Sequence, residues 1–222
     1  MSIQHRSLPV AIVVACAALA ACSSTQPLPY AGIASSSRMK ASADDGGGHI
    51  PYAYRSGADL RRYAAFKVDP VVIYRGSDNQ FEDIPEADKQ ALAAYMQTTF
   101  QDHLAHLAWS RNIPQAETLR IRVTLTGAKE NTPVLSTLSR FDLLGGPYNA
   151  VQAARGKEGA LTGSVSFAVE IYADSTNELL AAYVSKQYPN AWNLGAGMGA
   201  LSASKTGIDK GADELVAYLD KR

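Results

Sequence analysis

Two stretches of the chain alternate apolar and polar residues one by one, and this pattern constrains the fold more than any other feature. The first runs from Leu119 to Leu125, and the second runs from Leu161 to Ala173. Successive side chains of a β-strand point to opposite faces of a sheet, so alternation indicates strands that are buried on one face only. A sheet that keeps one polar face is typically antiparallel. The pattern therefore predicts an antiparallel sheet with one apolar face.

Two helices, indicated by the spacing of apolar residues, are predicted to cover that apolar face. A first helix is predicted to begin at Pro85 and Glu86, because acidic residues favour the first turn of a helix. Its apolar residues share one side of a helix, at Leu92, Met96, Phe100, Leu104 and Leu107. A second, C-terminal helix repeats the spacing at Ile208, Ala212, Leu215 and Leu219.

Three further segments complete the predicted order of elements. Phe66–Tyr74 is apolar and β-branched, which predicts a strand with Pro70 at an edge or a bulge. Asp174–Asn177 is a turn, and Leu179–Tyr188 returns as the hairpin partner of the preceding strand. The order β-α-β-β-β-α predicts an α+β fold, in which a mostly antiparallel sheet of about four strands carries two helices on one face.

The first residues of the chain are typical of a secretory leader. Arg6 gives a short polar region its positive charge, and an apolar run follows from Leu8 to Ala21. The run is shorter than the roughly 20 residues that span a bilayer, so residues 1–21 are interpreted as a signal peptide. It ends in Leu19-Ala20-Ala21-Cys22, which resembles the lipobox of bacterial lipoproteins.

The lipobox resemblance implies a covalent lipid on Cys22. In such lipoproteins the cysteine thiol carries lipid, and the leader is cut just before it. Ser23 follows, where lipoproteins of the inner membrane commonly carry aspartate, so the resemblance implies the outer membrane and a domain on its periplasmic face. Cys16 is the other cysteine and leaves with the leader, which excludes an intramolecular disulfide or a cysteine–metal site in the mature chain.

The composition changes again after the cysteine. Residues 22–59 are rich in serine, glycine and proline, and they are predicted to form a flexible tether that reaches roughly several tens of ångströms. Tyr30, Ile33 and Met39 are apolar exceptions, for which docking onto the domain or a partner is the alternative to a fluctuating tether, the favoured interpretation. Residues 60–222 are predicted to form a single periplasmic domain.

Several segments of the mature chain resemble one protein family. They are Ala58-Asp59-Leu60, Val68-Asp69-Pro70-Val71, the Leu119–Val123 strand, and Val169-Glu170-Ile171 before Asp174-Ser175-Thr176. Together they are similar to the bacterial lipoproteins catalogued as domain of unknown function 3313. That family has no established activity, so the resemblance implies a place in the envelope and no reaction.

Charge and motif content exclude most other classes of function. Lysine and arginine balance aspartate and glutamate at 21 each, whereas a nucleic-acid-binding protein is expected to be basic. His103 and His106 are spaced to share a helix face, but with no third ligand they are interpreted as packing or hydrogen-bonding residues. No nucleophile–base pair or cofactor motif is recognisable, so the chain is predicted to be non-catalytic, with neither metal nor cofactor.

The leading hypothesis is a scaffold or assembly factor that binds an envelope protein or polymer. Its candidate contact surface is the polar sheet face, with Arg120, Arg122, Thr124, Ser164 and Ser166, although a solvated face has the same pattern. Phe141 and Trp192 lie in two apolar loop segments and are further candidates. The alternative is a carrier of a lipid or small hydrophobic ligand, held in a pocket that these two loops would close.

Overall fold

A computed structural model describes residues 26–42, 49–114, 116–130, 163–189 and 199–221. Within those ranges the chain forms one sheet and two long helices. The strands are β1 (Lys40–Ala41), β2 (Tyr52–Arg55), β3 (Ala65–Val68), β4 (Val72–Ile73), β5 (Gln80–Phe81), β6 (Thr118–Lys129), β7 (Ser164–Ala173) and β8 (Leu179–Gln187). The helices are α1 (Glu86–Arg111) and α2 (Ser202–Asp220). Neither helix, nor any other in these ranges, is long and apolar enough to cross a membrane.

The sheet is larger and more mixed than the sequence predicts. Its eight strands, counted over the described residues, run in the order β1-β2-β8-β7-β6-β3, and β4 and β5 also pair with β6. Strands β3, β4 and β5 run parallel to β6, and the other pairs are antiparallel. The expectation of about four mostly antiparallel strands is therefore wrong. The extra strands have two to four residues, too few to show a period, and the parallel pairs form because α1 carries the chain back along the sheet.

The segment around Pro70 is divided between two of the parallel strands. Val68 lies opposite Ile121, whereas Val72 lies opposite Thr124, so four steps along this edge match three steps along β6. One extra residue in one strand is the definition of a β-bulge. Pro70 has no N–H to donate, and an edge bulge is a place where that costs little.

The two helices cover one face of the sheet, where they bury the core. The predicted apolar stripe of α1 is buried throughout. Phe100 meets Phe167 of β7 edge to face, with ring centroids 5.7 Å apart. Helix α2 approaches β7 and β8 through Gly207 and Gly211, where a Cβ would lie 2.8 Å from Val165 and 2.5 Å from Phe167. Large side chains from three elements therefore fill the space between helices and sheet.

The opposite face of the sheet is covered in part by residues 26–42, here called the N-terminal strap. Its residues Tyr30, Ile33 and Met39 are buried in a second apolar cluster that includes Ala168 and Val184. The strap contacts both margins of the sheet, because Gln26 is bonded to Gln80 on β5 and β1 pairs with β2. The three apolar exceptions in the predicted tether thus dock onto the domain.

Candidate functional site

The strand register brings charged and aromatic side chains together on the strap-bearing face. Arg122 of β6 lies opposite Glu170 of β7, and two residues along, Arg120 lies opposite Tyr172. Asp69 leaves the end of β3 beside them, since its N–H donates to the carbonyl of Ile121. The arginine cluster is defined as Asp69, Arg120, Arg122, Glu170 and Tyr172.

Arg120 is held by partners on three sides. Its guanidinium bonds Asp69 at 3.0 Å and lies 3.6 Å from the carboxylate of Asp174. A further N–H donates to the side-chain oxygen of Asn177. The same group lies over the ring of Tyr172, 4.9 Å from its centroid, and only 16% of the side chain is exposed. Arg120 therefore has a structural role that fixes the positions of its neighbours.

Arg122 is more open and more weakly paired. Its side chain is 39% exposed, with Nε 3.7 Å from Asp69 and Nη1 3.9 Å from Glu170. Both separations exceed hydrogen-bond length, so the pairs hold the guanidinium by charge and leave N–H donors for an incoming acceptor. Tyr172 supports it from one side at 5.6 Å. A planar donor fork on an aromatic ring suits carboxylate or hydroxyl groups of a protein or polymer.

Glu170 links the cluster to the strap. Its side chain is almost fully buried, and one carboxylate oxygen accepts the N–H of Ser35 at 3.0 Å. Burial raises the pKa of the neighbouring Tyr172, so that phenol stays neutral at physiological pH. Two arginines thus face two carboxylates, and the cluster has little net charge.

The predicted contact residues and the predicted lipidation site divide into three groups. Arg120 and Arg122 lie together in the cluster, while Thr124, Ser164 and Ser166 are buried. Cys22, Phe141 and Trp192 lie outside the described residues. Polar alternation placed these residues on one face of the sheet, but it could not show that the strap covers much of that face.

Sequence reasoning missed the carboxylates and the tyrosine that hold the arginines. Glu170 and Tyr172 occupy the same alternating positions as the predicted hydroxyl residues. The register between β6 and β7 is enough to place them opposite Arg122 and Arg120. Asp69 comes from a parallel strand far away in sequence, and its contact with Arg120 has no local signal.

A second polar cluster lies on the helix-covered face. Glu214 of α2 accepts hydrogen bonds from Ser185 at 3.0 Å and Gln187 at 2.8 Å. Burial raises the pKa of Glu214 to about 7, although both hydrogen bonds oppose the shift. Nearby, the hydroxyl of Tyr183 is buried with no hydrogen-bond partner in the described part of the chain.

Histidine and carboxylate positions do not assemble a metal centre within the described ranges, where no group of three or more candidate ligands occurs. His103 instead contacts Asp213 at 3.1 Å and joins the two helices. His106 is exposed on the same helix.

Comparison with known proteins identifies a family whose model matches the chain. The family described as "Protein of unknown function (DUF3313)" matches residues 29–215, which confirms the resemblance seen in the sequence. No curated protein matches the chain. The PelC dodecamer from Paraburkholderia phytofirmans has 12% identity and a TM-score of 0.37, covering 77% of this chain and 96% of that one. A variant of it has 12% identity, a TM-score of 0.38, and coverages of 77% and 95%. TM-scores this low do not establish a shared fold.

Proposed function

The chain belongs to the DUF3313 family of proteins of unknown function, and from that premise we propose a non-catalytic role. The protein is a lipoprotein, anchored through Cys22 at the periplasmic face of the outer membrane. There it acts as a scaffold or assembly factor that binds an envelope protein or polymer. The arginine cluster is the contact surface for that partner.

The proposal rests on the position and the exposure of the Arg122 guanidinium. Its guanidinium is positioned by two carboxylates and an aromatic ring, yet it remains 39% exposed. A preformed donor loses little conformational entropy when it binds an acceptor. The near-neutral cluster favours recognition by directed hydrogen bonds over attraction by bulk charge. Such a surface suits a polar partner that carries carboxylate or hydroxyl groups.

The carrier alternative has less support from the geometry. A carrier needs room between helices and sheet, and in the described residues Phe100, Phe167 and Met96 are fully buried there. A ligand of useful size would have to displace these rings, at a cost in packing energy. The scaffold role requires no such rearrangement.

In-cell photo-crosslinking tests the contact surface. A photoreactive amino acid replaces Lys67, which is exposed and lies opposite Arg120 in the register, so its side chain borders the cluster. The matched control replaces exposed Gln101 on α1. We expect a reproducible crosslinked species from position 67 and none from position 101.

A second substitution links the crosslink to the guanidinium. Arg122→Ala should abolish the species formed from position 67, whereas Arg61→Ala, which removes another exposed arginine paired with a carboxylate, should leave it unchanged. Equal crosslinking from both faces, or a species that survives Arg122→Ala, would contradict the proposed surface.

The anchor has its own test. Labelled palmitate should enter the wild type and not Cys22→Ala, and only the wild type should fractionate with the outer membrane. Outer-membrane fractionation of Cys22→Ala, together with no label in the wild type, would show that lipidation is not the means of attachment.

A further inference from the structure

The strap is attached to the domain at a single corner before it crosses the sheet. That corner is the segment 74–80, which connects β4 to β5. The N–H of Ala31 donates to Asp78 at 2.8 Å, and the N–H of Gly32 donates to the hydroxyl of Tyr74 at 2.9 Å. The rings of Tyr30 and Tyr74 pack with centroids 5.3 Å apart. These contacts fix the chain at residues 30–32 against the corner.

The attachment extends almost back to the proposed lipid site. The carbonyl of Gln26 accepts a hydrogen bond from Gln80 at 3.5 Å, and Pro27 is buried. Residues 23–25 alone separate Cys22 from Gln26, and four extended Cα-to-Cα steps span at most about 14 Å. The chain between the lipid and the domain is therefore short, although the sequence predicted a tether with a far longer reach.

We propose that segment 74–80, together with Leu28, is a membrane-contact surface that rests on the headgroup layer of the bilayer holding the lipid of Cys22. This inference rests on the proposed lipidation. The headgroup layer is roughly 5–7 Å thick on each side of the hydrocarbon core. A linker of at most about 14 Å brings the corner to that layer.

The chemistry of this corner suits a lipid interface. Leu28 is 62% exposed, the most open of the large apolar residues in the described ranges. Arg75 is bonded to Glu86 at 2.8 Å, and Lys129 lies 3.6 Å from Glu82. Since these charges are paired, the surface has no basic excess that would select acidic lipids. It fits a zwitterionic headgroup layer into which one leucine inserts.

The contact also sets which end of the molecule faces away from the membrane. Helix α1 begins beside the corner, because Glu86 in its first turn pairs with Arg75. Its 26 residues span about 39 Å at 1.5 Å per residue. Ile113, 40% exposed, lies just beyond the far end and provides a natural control position.

Depth-dependent quenching tests the contact. Single cysteines at Leu28, Asn79 or Ile113 are labelled with an environment-sensitive fluorophore, since the thiol of Cys22 is blocked by lipid in the mature protein. The lipidated protein is reconstituted into phosphatidylcholine vesicles that contain a headgroup-nitroxide lipid. We expect loss of fluorescence at positions 28 and 79, and unchanged fluorescence at position 113.

A longer linker tests whether the short distance between the lipid and the domain causes the quenching at position 79. A Gly/Ser insert of about 20 residues between Ser24 and Thr25 adds an r.m.s. reach of roughly 25 Å. It should restore most of the fluorescence at position 79. Leu28→Ser in the native-length chain should weaken the quenching at position 79 only in part, because the inserted side chain is lost while the short linker still holds the corner near the headgroups.

Two readouts distinguish failure of the contact from failure of the anchor. If palmitate is incorporated but positions 79 and 113 are quenched equally, the membrane-contact surface is wrong and the anchor stands. If no palmitate is incorporated, the short-linker argument loses its fixed point, and both proposals are overturned.

Discussion

Glu214 is a carboxyl group that burial keeps partly protonated near neutral pH. It lies on α2 and faces β8, where Ser185 and Gln187 donate hydrogen bonds to the same carboxylate oxygen. These bonds favour the charged form, but desolvation is stronger, and the pKa rises to about 7. The native state therefore binds a proton that the unfolded chain releases at lower pH.

The sign of the resulting pH dependence follows from that difference. Stabilisation by the proton on Glu214 is complete below the unfolded pKa of 4.5 and is lost as pH rises through about 7. Between these values the wild-type free energy of unfolding should fall by on the order of 2–3 kcal/mol. Urea unfolding at several pH values should show this slope flattened in Glu214→Gln, which has no titrating proton.

The control for Glu214 is a glutamate on the surface. Glu117→Gln should keep the slope of the wild type across the same pH interval, because Glu117 is exposed and its pKa is lowered by Arg62. If Glu214→Gln retained the full slope, another group would be responsible for it.

Arg111 joins three parts of the chain at the end of α1. Its guanidinium donates to the carbonyls of Leu60 and Leu219, each at 3.1 Å, and to that of Tyr63. It also bonds Asp220 at 2.5 Å, and the arginine side chain is only 9% exposed.

Removing this group should be costly, because several buried acceptors lose their donor together. Arg111→Ala should lower the free energy of unfolding by about 2–4 kcal/mol, measured by urea denaturation. Arg111→Lys should recover only part of the lost stability, since one ammonium group cannot reproduce the hydrogen bonds of the planar guanidinium. Arg62→Ala, which removes an exposed arginine paired with Glu117, should have no measurable effect. Equal losses from positions 62 and 111 would refute the joining role of Arg111.

Helix α2 approaches the sheet most closely at two glycines. A Cβ at Gly207 would lie 2.8 Å from Val165 and 3.0 Å from a backbone carbonyl of Gln187. A Cβ at Gly211 would lie 2.5 Å from the ring of Phe167, which is itself held by Phe100. Glycine is required at both positions because the helix approaches so closely.

Gly211→Ala therefore compares the free-energy cost of the clash with the gain from higher helix propensity. Propensity alone would stabilise the helix by about 1 kcal/mol, whereas overpacking against a ring held in place should cost about 1–3 kcal/mol. We expect a net loss of stability in thermal or urea unfolding. Exposed Ala217→Gly on the same helix calibrates propensity and should cost about 1 kcal/mol. A more stable Gly211→Ala protein would show that the ring moves aside.

Long elements could be predicted from the sequence, and short ones could not. The stripe from Leu92 to Leu107 and the alternation from Leu119 to Leu125 each contain several periods, and the structure confirms both elements. Strands β1, β4 and β5 have two residues each, and their pairing depends on partners far away in sequence. The same limit applied to the candidate site, where Asp69 meets Arg120 through a parallel pair.

The strap makes the N-terminal region part of the folded molecule. Serine, glycine and proline content predicted a flexible tether, but three buried apolar residues, three backbone N–H donors and a short strand pair dock residues 26–42. Composition averages over a segment, whereas docking depends on the few positions that reach a complementary surface.

Tyr30 should hold the strap in place. Tyr30→Ala removes a ring buried against Tyr74 and should cost about 3 kcal/mol of unfolding free energy, with faster proteolysis of the strap. Leu28→Ala, two residues away on an exposed side chain, should change stability by less than about 0.5 kcal/mol. Equal effects from the two substitutions would mean that the strap contributes little to the fold.

The bond from Ser35 to Glu170 closes a loop of 135 residues, and it bears on the order of events during folding. Contacts of such long sequence separation form slowly, because the closure entropy must be met before the contact stabilises anything. We expect the strap to dock last, after β7 has paired. Until then residues 26–42 would remain off the sheet and open to proteolysis. If the proposed membrane contact holds, its attachment corner would therefore be completed only in the last step of folding.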